Sequence, residues 1–291
     1  MNPLHKLRLL SSTLYRRARP LIFPQTLYSR AYPDPQAALS LFEGEWVSQL
    51  PGFQSGGQAG LFSQDERPRW MAKAAGGIEG RRILELGPLE GGHTYQLEQM
   101  GAEVTGIEAN ALAFQRCLIV KNLYQLKAKL LLGDFVKYLA ETQDRFDIVF
   151  ASGVLYHMRT PARLVQDMCR VADQVFLWTH YFDAAVIEAD SKLRRSFASG
   201  RTQTEDVAGV PITSHERRYN SGWLTYFQPG FCGGMDVGTY WLELADLRKC
   251  FDLQGFDVTA CETAVSEHGP HLTLMARRRP AATSEGASTP A

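Results

Sequence analysis

Long hydrophobic runs are absent from this sequence, and cysteine is scarce. No stretch of 18 or more apolar residues occurs in the 291-residue chain, so it contains no candidate for a transmembrane helix. The five cysteines are odd in number and no two form a Cys-x-x-Cys pair, which argues against a disulfide framework and against a zinc ribbon. We therefore expect a reducing compartment, where such thiols behave as small hydrophobic side chains.

An excess of charge of one sign is also absent. Lys plus Arg and Asp plus Glu each number 31, so the formal net charge is zero and a strongly electrostatic nucleic-acid binder is not indicated. Gly-x-Ser-x-Gly, Gly-x-x-x-x-Gly-Lys-Ser/Thr and Gly-x-Gly-x-x-Gly do not occur, and none of the eleven tyrosines is followed by Lys four residues on. These absences count against a serine hydrolase, a P-loop NTPase and a nicotinamide-dependent reductase.

The two ends of the chain differ from its middle. Residues 1–33 contain six basic residues and no acid, with leucines at helical spacing. Three interpretations stay open: a helix packed on the domain, contact with a membrane surface through residues 1–20, and an organelle presequence. We expect a cytoplasmic protein, with the last two as alternatives. The tail 279–291 is rich in Arg, Pro, Ala, Ser and Thr and is expected to be disordered.

The middle of the chain alternates between short apolar runs and helical stretches. A helical lead-in is expected over 34–80, and from residue 81 the alternation indicates βαβ units with a mostly parallel sheet and helices on both faces. The predicted strands are 82–86, 103–107, 127–132, 146–151 and 174–179, and the predicted helices 92–100, 111–126, 135–141 and 161–172.

Residues 181–240 interrupt this alternation. Four aromatic residues, Trp223, Tyr226, Phe227 and Phe231, lie there among Gly and Arg, which predicts an insert or cap rather than a sheet element. A helix over 241–256 and two closing strands, 257–261 and 271–276, are expected to complete a domain that ends near residue 278.

A Gly-rich turn follows the first predicted strand. Glu85 lies in that strand, and Gly87 and Gly91 follow with three residues between them. Glycines allow a ligand to approach the backbone closely. A carboxylate at the end of the strand would repel a phosphate but suit an amine, so the turn predicts a ligand that carries an amino acid.

Further polar residues follow the next three strands. Glu108 can accept hydrogen bonds from ribose hydroxyls, while Asp134 and Phe135 can bind and pack against an adenine. The fourth strand leads into the string Gly153-Val-Leu-Tyr156-His157. Open α/β sheets bind ligands at the carboxyl ends of their strands, so we expect these residues to lie at one site.

Taken together, these motifs resemble the class I S-adenosylmethionine-dependent methyltransferases over about residues 70–180. The resemblance implies a Rossmann-like, doubly wound sheet of seven strands and S-adenosylmethionine as cofactor. It places Glu85, Gly87 and Gly91 around the methionine part. Glu108 would hold the ribose, Asp134 with Phe135 the adenine, and Gly153 would lie beneath the sulfonium.

The segment 146–164 is also similar to bacterial tRNA wobble-uridine carboxymethyltransferases, in which the tyrosine that matches Tyr156 helps to hold a carboxylated cofactor. The likeness fades after Leu164. Because the same string occurs in methyltransferases of small molecules and sugars, we expect a small or sugar-like methyl acceptor. A tRNA-modifying enzyme and an inactive binding module remain alternatives, and the oligomeric state is open.

Two histidines are candidates for a general base. His157 and His180 follow the fourth and fifth predicted strands, and we take His157 as the first candidate. His268 and His271 have metal-ligand spacing, but Pro270 lies between them and no carboxylate completes the set, so no metal is expected. Near the insert, Arg201, Arg217 and Arg218 are candidates for binding an anionic substrate.

Overall fold

A twisted sheet of seven strands forms the centre of the molecule. The computed structural model describes residues 28–30, 32–219, 233–236 and 238–280. Along the chain the strands of this sheet are β1 (Arg82–Leu86), β2 (Glu103–Glu108), β3 (Lys129–Leu132), β4 (Phe146–Ser152), β5 (Ala172–His180), β9 (Phe256–Ser266) and β10 (Gly269–Arg278), and their order in space is β3-β2-β1-β4-β5-β10-β9. β10 runs antiparallel to both of its neighbours, and the other pairs are parallel. The predicted mostly parallel α/β fold is confirmed.

The order of the strands reverses between β1 and β4, and this places the site. β2 and β3 lie on one side of β1, whereas β4 and β5 lie on the other. The loops that leave β1 and β4 at their carboxyl ends therefore diverge and open a crevice, which is where doubly wound sheets bind ligands.

Helices cover both faces of the sheet. They are α1 (Pro35–Leu39), α2 (Arg67–Ala75), α3 (Gly92–Gln99), α4 (Ala111–Tyr124), α5 (Phe135–Glu141), α6 (Pro161–Val171), α7 (Ala184–Ala189), α8 (Ser191–Ser196) and α9 (Leu244–Leu253), with 3₁₀ turns at Ser40–Phe42 and Leu155–His157. One core cluster joins α5, α6 and α9 to the sheet, and a second joins α2 and α3 to the opposite face. In the described residues no helix is both long and apolar enough to cross a membrane.

Local chemistry fixes where the helices at the site begin. Asn110 precedes α4 and its side chain accepts hydrogen bonds from the amides of Leu112 and Ala113. Asp134 caps α5 in the same way, and Pro161 occupies the first turn of α6, where a missing N–H costs nothing. The first two of these helices therefore start directly after a strand, and α6 starts after the loop that leaves β4.

The region 181–240 corrects one sequence prediction. Instead of lacking sheet elements, it contributes β6 (Thr202–Val207) and β7 (Val210–Arg218), which pair with β8 (Gly238–Leu242) in an antiparallel three-stranded sheet. The inward-facing residues of β7 include Ser214 and Glu216, which are buried but polar. An apolar alternation, the usual signature of a strand, is therefore missing from this sequence.

The predicted helix 241–256 is wrong at its start. Trp241 belongs to β8 and is buried, and the chain becomes helical only after Glu243, whose φ and ψ of −69° and 155° are extended. The closing strands are longer than predicted because their outer halves form an exposed hairpin. The basic N-terminal segment before residue 28, the four aromatic residues of the insert and the tail from residue 281 lie outside the described residues.

One buried carboxylate connects the lead-in, residues 34–80, to the Gly-rich turn that follows β1. Glu90 is fully buried, and its Oε1 and Oε2 accept hydrogen bonds from the amides of Val47 and Ser48, each at 2.9 Å. The Arg116 side chain of α4 lies 3.1 Å from Oε1. A third core cluster, formed by residues of the lead-in and α4, surrounds this ion pair. Glu90 thus joins three separate parts of the chain.

We expect Glu90→Gln to lower the free energy of unfolding by about 3–5 kcal/mol, because it leaves Arg116 as an uncompensated buried charge. Urea unfolding followed by circular dichroism measures the loss. The exposed Glu79→Gln is the control and should change stability by less than about 0.5 kcal/mol. A Glu90 variant as stable as this control would contradict the role that we assign to the ion pair.

Candidate functional site

The Gly-rich turn after β1 contains three residues with left-handed backbone conformations. Gly87 and Gly91 have φ of 66° and 79°, and Leu89 has a φ of 58°, which is costly for a residue with a side chain. A Cβ added to Gly87 would come within 3.0 Å of Val154 Cγ1. The turn therefore packs tightly against the loop after β4 and presents backbone, not side chains, to the crevice.

Glu108, the last residue of β2, holds this turn in place. Its Oε2 accepts a hydrogen bond from the Leu89 amide at 2.9 Å, and its Oε1 accepts one from Asn110 at 2.8 Å. Burial raises the pKa of Glu108, and the backbone hydrogen bonds oppose that rise. Each carboxylate oxygen can accept two hydrogen bonds. Glu108 thus fixes the strained Leu89 and has acceptor sites left for the ribose hydroxyls predicted from the sequence.

Glu85 is more deeply buried, with 1% of its surface exposed. Its Oε2 accepts a hydrogen bond from the Thr94 hydroxyl, whereas its Oε1 is buried without a hydrogen-bond partner. Burial raises the pKa of Glu85 to about 7; the Thr94 hydrogen bond lowers it, and the nearby Glu108 raises it further. A buried carboxylate oxygen that lacks a donor is suited to a cationic ligand group such as an amine.

Asp134 and Phe135 lie at the start of α5. One oxygen of Asp134 accepts the Val136 amide at 2.9 Å, so this side chain already has a capping role. Phe135 is buried and belongs to the main core cluster. Their contact with an adenine stays a prediction.

The loop after β4 forms the opposite wall of the crevice. Gly153 has a φ of 83°, and its amide donates to the Trp178 carbonyl at 2.9 Å. A Cβ at Gly153 would lie 3.7 Å from the Tyr156 hydroxyl and 4.0 Å from the Trp178 ring. Tyr156 and Trp178 therefore border the space directly above Gly153.

An aromatic cluster extends from this space toward the small sheet. Its members are Tyr156, His157, Trp178, His180, Trp241 and His271. His180, at the end of β5, stacks on Trp241 with ring centroids 5.1 Å apart and 11° between the planes. The small sheet thus places Trp241 beside residues of the main sheet.

The two predicted base candidates are held differently. His180 Nδ1 lies 3.1 Å from the Pro270 carbonyl, which can only accept, so Nδ1 carries the proton and Nε2 is the basic nitrogen. His157 belongs to the 3₁₀ turn after β4 rather than to the strand end, and its Nδ1 is hydrogen-bonded to the Tyr219 hydroxyl. The orientation of His180 is therefore fixed by backbone, whereas that of His157 depends on another side chain.

Both histidines are neutral at physiological pH. Burial lowers the pKa of His157 to about 3, with a further contribution from the Arg217 charge. Burial likewise lowers the pKa of His180 to about 4, and the Pro270 carbonyl partly opposes the shift. Each ring is consequently available as a proton acceptor, but each is a weak one.

Several residues of the site were not predicted from the sequence. Trp178 precedes His180 by two residues on β5, so the period of a strand places both on one face, a signal that could have identified it. Trp241 was assigned to a helix, and His271 was considered only as a metal ligand. Arg67 comes from the lead-in and lies 4.7 Å from the centre of the Trp178 ring.

Arg67 is held by an acid and a histidine. Its side chain donates to Asp65 at 2.8 Å, and His93 on α3 lies 2.9 Å from the same carboxylate. Burial alone would raise the pKa of Asp65, but the hydrogen bonds from Arg67 and His93 hold it well below its usual range. Among the described residues no group of three or more His, Cys, Asp and Glu side chains is arranged to hold a metal ion.

Comparison with known proteins identifies this arrangement. A family model described as a methyltransferase domain matches residues 79–219. The N-terminal domain of EvdMO1, solved in the presence of SAH and D-fucose, is 26% identical, with a TM-score of 0.63 over 84% of this chain and 95% of that one. The domain over residues 79–219 belongs to the class I S-adenosylmethionine-dependent methyltransferases.

Two further groups of proteins resemble this methyltransferase domain. A ubiquinone biosynthesis O-methyltransferase of Alkalilimnicola ehrlichii is 34% identical over 106 residues, and a tRNA U34 carboxymethyltransferase of Azotobacter vinelandii is 32% identical over 113 residues. These alignments cover 35% and 38% of this chain and only 41% and 35% of the relatives. Magnesium protoporphyrin IX methyltransferase from Synechocystis, at 15% identity and a TM-score of 0.51, shares the fold.

S-adenosylmethionine is the cofactor, and the residues of the crevice fit it. The left-handed Gly87 and Gly91 shape the turn that follows Glu85, and an ammonium group would satisfy the unpaired, buried Oε1 of Glu85. Glu108 has acceptor sites for a ribose at the next strand. Gly153 leaves space bordered by Tyr156, where the resemblance to the family implies the sulfonium.

The raised pKa of Glu85 predicts a pH-dependent stability. The unfolded chain releases this proton near pH 4.5 and the folded chain near pH 7, so between these values the unfolded state binds fewer protons and stability falls as pH rises. The loss amounts to about 3 kcal/mol by pH 7 and above.

Glu85→Gln should remove this dependence and be more stable than the native protein at pH 8, but not at pH 4. Urea unfolding at the two pH values measures the difference. The control, Glu103→Gln, changes an exposed acid at the far end of β2. Equal pH dependence in the native protein and the Glu85 variant would show that Glu85 is ionised in the fold.

Proposed function

We propose that the protein transfers the methyl group of S-adenosylmethionine to a hydroxyl oxygen of a small, sugar-like acceptor. The observation that carries this proposal is the aromatic cluster above Gly153, in which His180 is fixed by the Pro270 carbonyl. Aromatic faces suit the C–H faces of a sugar ring, and the orientation of His180 suits proton transfer. The likeness to a domain solved with SAH and D-fucose, and to an O-methyltransferase, supports the same acceptor class.

In the mechanism, bound S-adenosylmethionine supplies a methyl group on a sulfonium, which is already activated for transfer. The protein contributes position and a proton acceptor. Glu85 would hold the ammonium group of the cofactor and Glu108 its ribose, so that the acceptor oxygen would only have to be aligned with the methyl group in the space beside Gly153. His180 Nε2 takes the proton that the acceptor hydroxyl releases, while the Nδ1 hydrogen bond to Pro270 keeps the ring in place.

Calorimetric titration with S-adenosylhomocysteine tests the cofactor half of this proposal. We expect Glu108→Ala to weaken binding by about 10- to 100-fold, because hydrogen bonds to a charged group contribute about 1.5–3 kcal/mol each. The control Glu103→Ala removes an acid from the opposite, exposed end of the same strand and should leave the affinity unchanged. A folded native protein that binds neither S-adenosylmethionine nor S-adenosylhomocysteine would favour the inactive binding module.

A transfer assay with radiolabelled methyl groups tests the acceptor half, with monosaccharides, quinone precursors and tRNA offered separately. Methylation of a hydroxyl compound without RNA supports the proposal. Activity that requires tRNA would support the alternative of a tRNA-modifying enzyme. Because the chain is similar to tRNA U34 carboxymethyltransferases, the assay with tRNA must also offer the carboxylated form of the cofactor as a donor.

With the acceptor found in that assay, His180→Asn should lower turnover by about 10²- to 10⁴-fold and leave cofactor binding unchanged. The amide of Asn keeps a donor near the Pro270 carbonyl but provides no base. Because the pKa of His180 is about 4, native turnover should decline only as pH falls toward that value. If His157→Gln loses the turnover and His180→Asn does not, then His157 is the base.

A further inference from the structure

Among the residues that the structure describes, the sheltered Arg217 has no acidic partner for its charge. Arg217 lies near the end of β7, and its guanidinium lies 4.5 Å from the centre of the Tyr219 ring and 5.8 Å from that of Trp241. Its Nε is buried and has no hydrogen-bond partner. The Tyr219 side chain also forms a hydrogen bond with Arg217. A phenol carries no charge, and a planar fork of donors is best satisfied by an anion in its own plane.

Two other sheltered arginines have carboxylate partners. Arg67 donates to Asp65 at 2.8 Å, and Arg116 lies 3.1 Å from Glu90. In the part of the chain that the structure describes, Arg217 has no such partner, and its pKa is lowered by burial with only Tyr219 and Tyr156 acting against the shift. The neighbouring sequence 220–232 contains no Asp or Glu, so it cannot supply one.

The structure separates Arg217 from the two arginines with which the sequence grouped it. Arg218 points to the other face of β7 and pairs with Glu216 at 3.0 Å. The positive charge of Arg201 also helps to lower the pKa of Glu216. Glu216 is therefore matched by these two residues, and of the three arginines only Arg217 contacts the aromatic cluster.

Arg217 lies next to the groups that border the reacting space. Its charge contributes to the low pKa of His157 and of His180, and it interacts with Tyr156, whose hydroxyl lies beside Gly153. Tyr219, over which Arg217 lies, is hydrogen-bonded to His157. A ligand group in contact with Arg217 would therefore be separated from the space above Gly153 by a single side chain.

We propose that Arg217 binds an anionic group, a carboxylate or a phosphate, that is carried by the methyl acceptor. This inference rests on the proposed function, since it concerns the acceptor of that same site. A guanidinium can hold either anion through two parallel hydrogen bonds. The acceptor is then an anionic hydroxyl compound, such as a sugar acid or a sugar phosphate, rather than a neutral sugar.

Two sugars that differ in one group test the proposal. D-Fucose and D-galacturonate have the same ring stereochemistry, but D-galacturonate carries a carboxylate where D-fucose carries a methyl group. Each is titrated calorimetrically into the native protein saturated with S-adenosylhomocysteine, and inorganic phosphate is titrated as a third probe.

The variants are Arg217→Gln, which removes the charge, and Arg217→Lys, which keeps the charge but not the fork. Arg248→Gln on α9 is an exposed control for net charge. Affinity for S-adenosylhomocysteine is measured first in every variant, which reports on folding and on the proposed function independently of the anion.

We expect the native protein to bind D-galacturonate at least about 10-fold more tightly than D-fucose. Arg217→Gln should remove that preference, with a loss of about 10- to 100-fold for D-galacturonate, and Arg217→Lys should lose part of it. Arg248→Gln should behave as the native protein. If neither sugar binds, phosphate binding that is lost in Arg217→Gln supports the proposal.

Three results would overturn the inference. They are equal affinity for the two sugars, anion binding that Arg217→Gln leaves unchanged, and no binding of any of the three probes at millimolar concentration. A fourth arm compares S-adenosylmethionine with its carboxylated form. If Arg217→Gln weakens only the carboxylated cofactor, the anion belongs to the cofactor and not to the acceptor. Absence of binding to S-adenosylhomocysteine in the native protein would instead contradict the proposed function.

Discussion

The buried pair of Glu90 and Arg116 is the contact on which the geometry of the cofactor crevice depends. Glu90 lies in the turn between Gly87 and Gly91, and its carboxylate accepts the amides of Val47 and Ser48 from the lead-in. Arg116 brings α4 to the same point. A left-handed turn that includes Leu89 would be mobile by itself. Its position is fixed because one end is held by this pair and its centre by Glu108.

The two sides of the crevice have opposite electrostatic character. On the side of β1 and β2, Glu85 and Glu108 are buried carboxylates with raised pKa values, an environment that favours a cation. On the side of β4 and β7, His157 and His180 are neutral and Arg217 is charged, an environment that favours electron-rich groups. The ammonium group of S-adenosylmethionine is positively charged, so the side of the crevice that would hold this group is matched in charge. In a low-dielectric crevice such matching is stronger than it would be at the surface.

The sequence was most informative where its local signals agreed with the tertiary structure. Strand β1 and helix α5 have the predicted boundaries, because the short, mostly apolar β1 is bounded by Arg82 and the Gly-rich turn and because Asp134 marks the start of α5 as an N-cap. Glu85, Gly87, Gly91 and Glu108 are brought together at the crevice as expected from their positions after β1 and β2.

Prediction failed where polar residues face inward. Ser214 and Glu216 are polar but buried in β7, and Trp241 lies in strand β8 rather than at the start of a helix. Neither the pattern of apolar and polar residues nor their secondary-structure propensities therefore revealed the small sheet. The contacts of Arg217 and Trp178 depend on that sheet and on the lead-in. They join residues far apart in the chain, and no local pattern encodes such a pairing.

The Arg67–Trp178 contact has a consequence for how the unit of function is delimited. The family model starts at residue 79, yet the lead-in before that point places a guanidinium on an indole that borders the reacting space. The family model therefore marks a smaller unit than the one that forms the walls of the site. Every cofactor residue discussed above lies after the lead-in, so exchange of the lead-in would change the surroundings of Trp178 without replacing any of those residues.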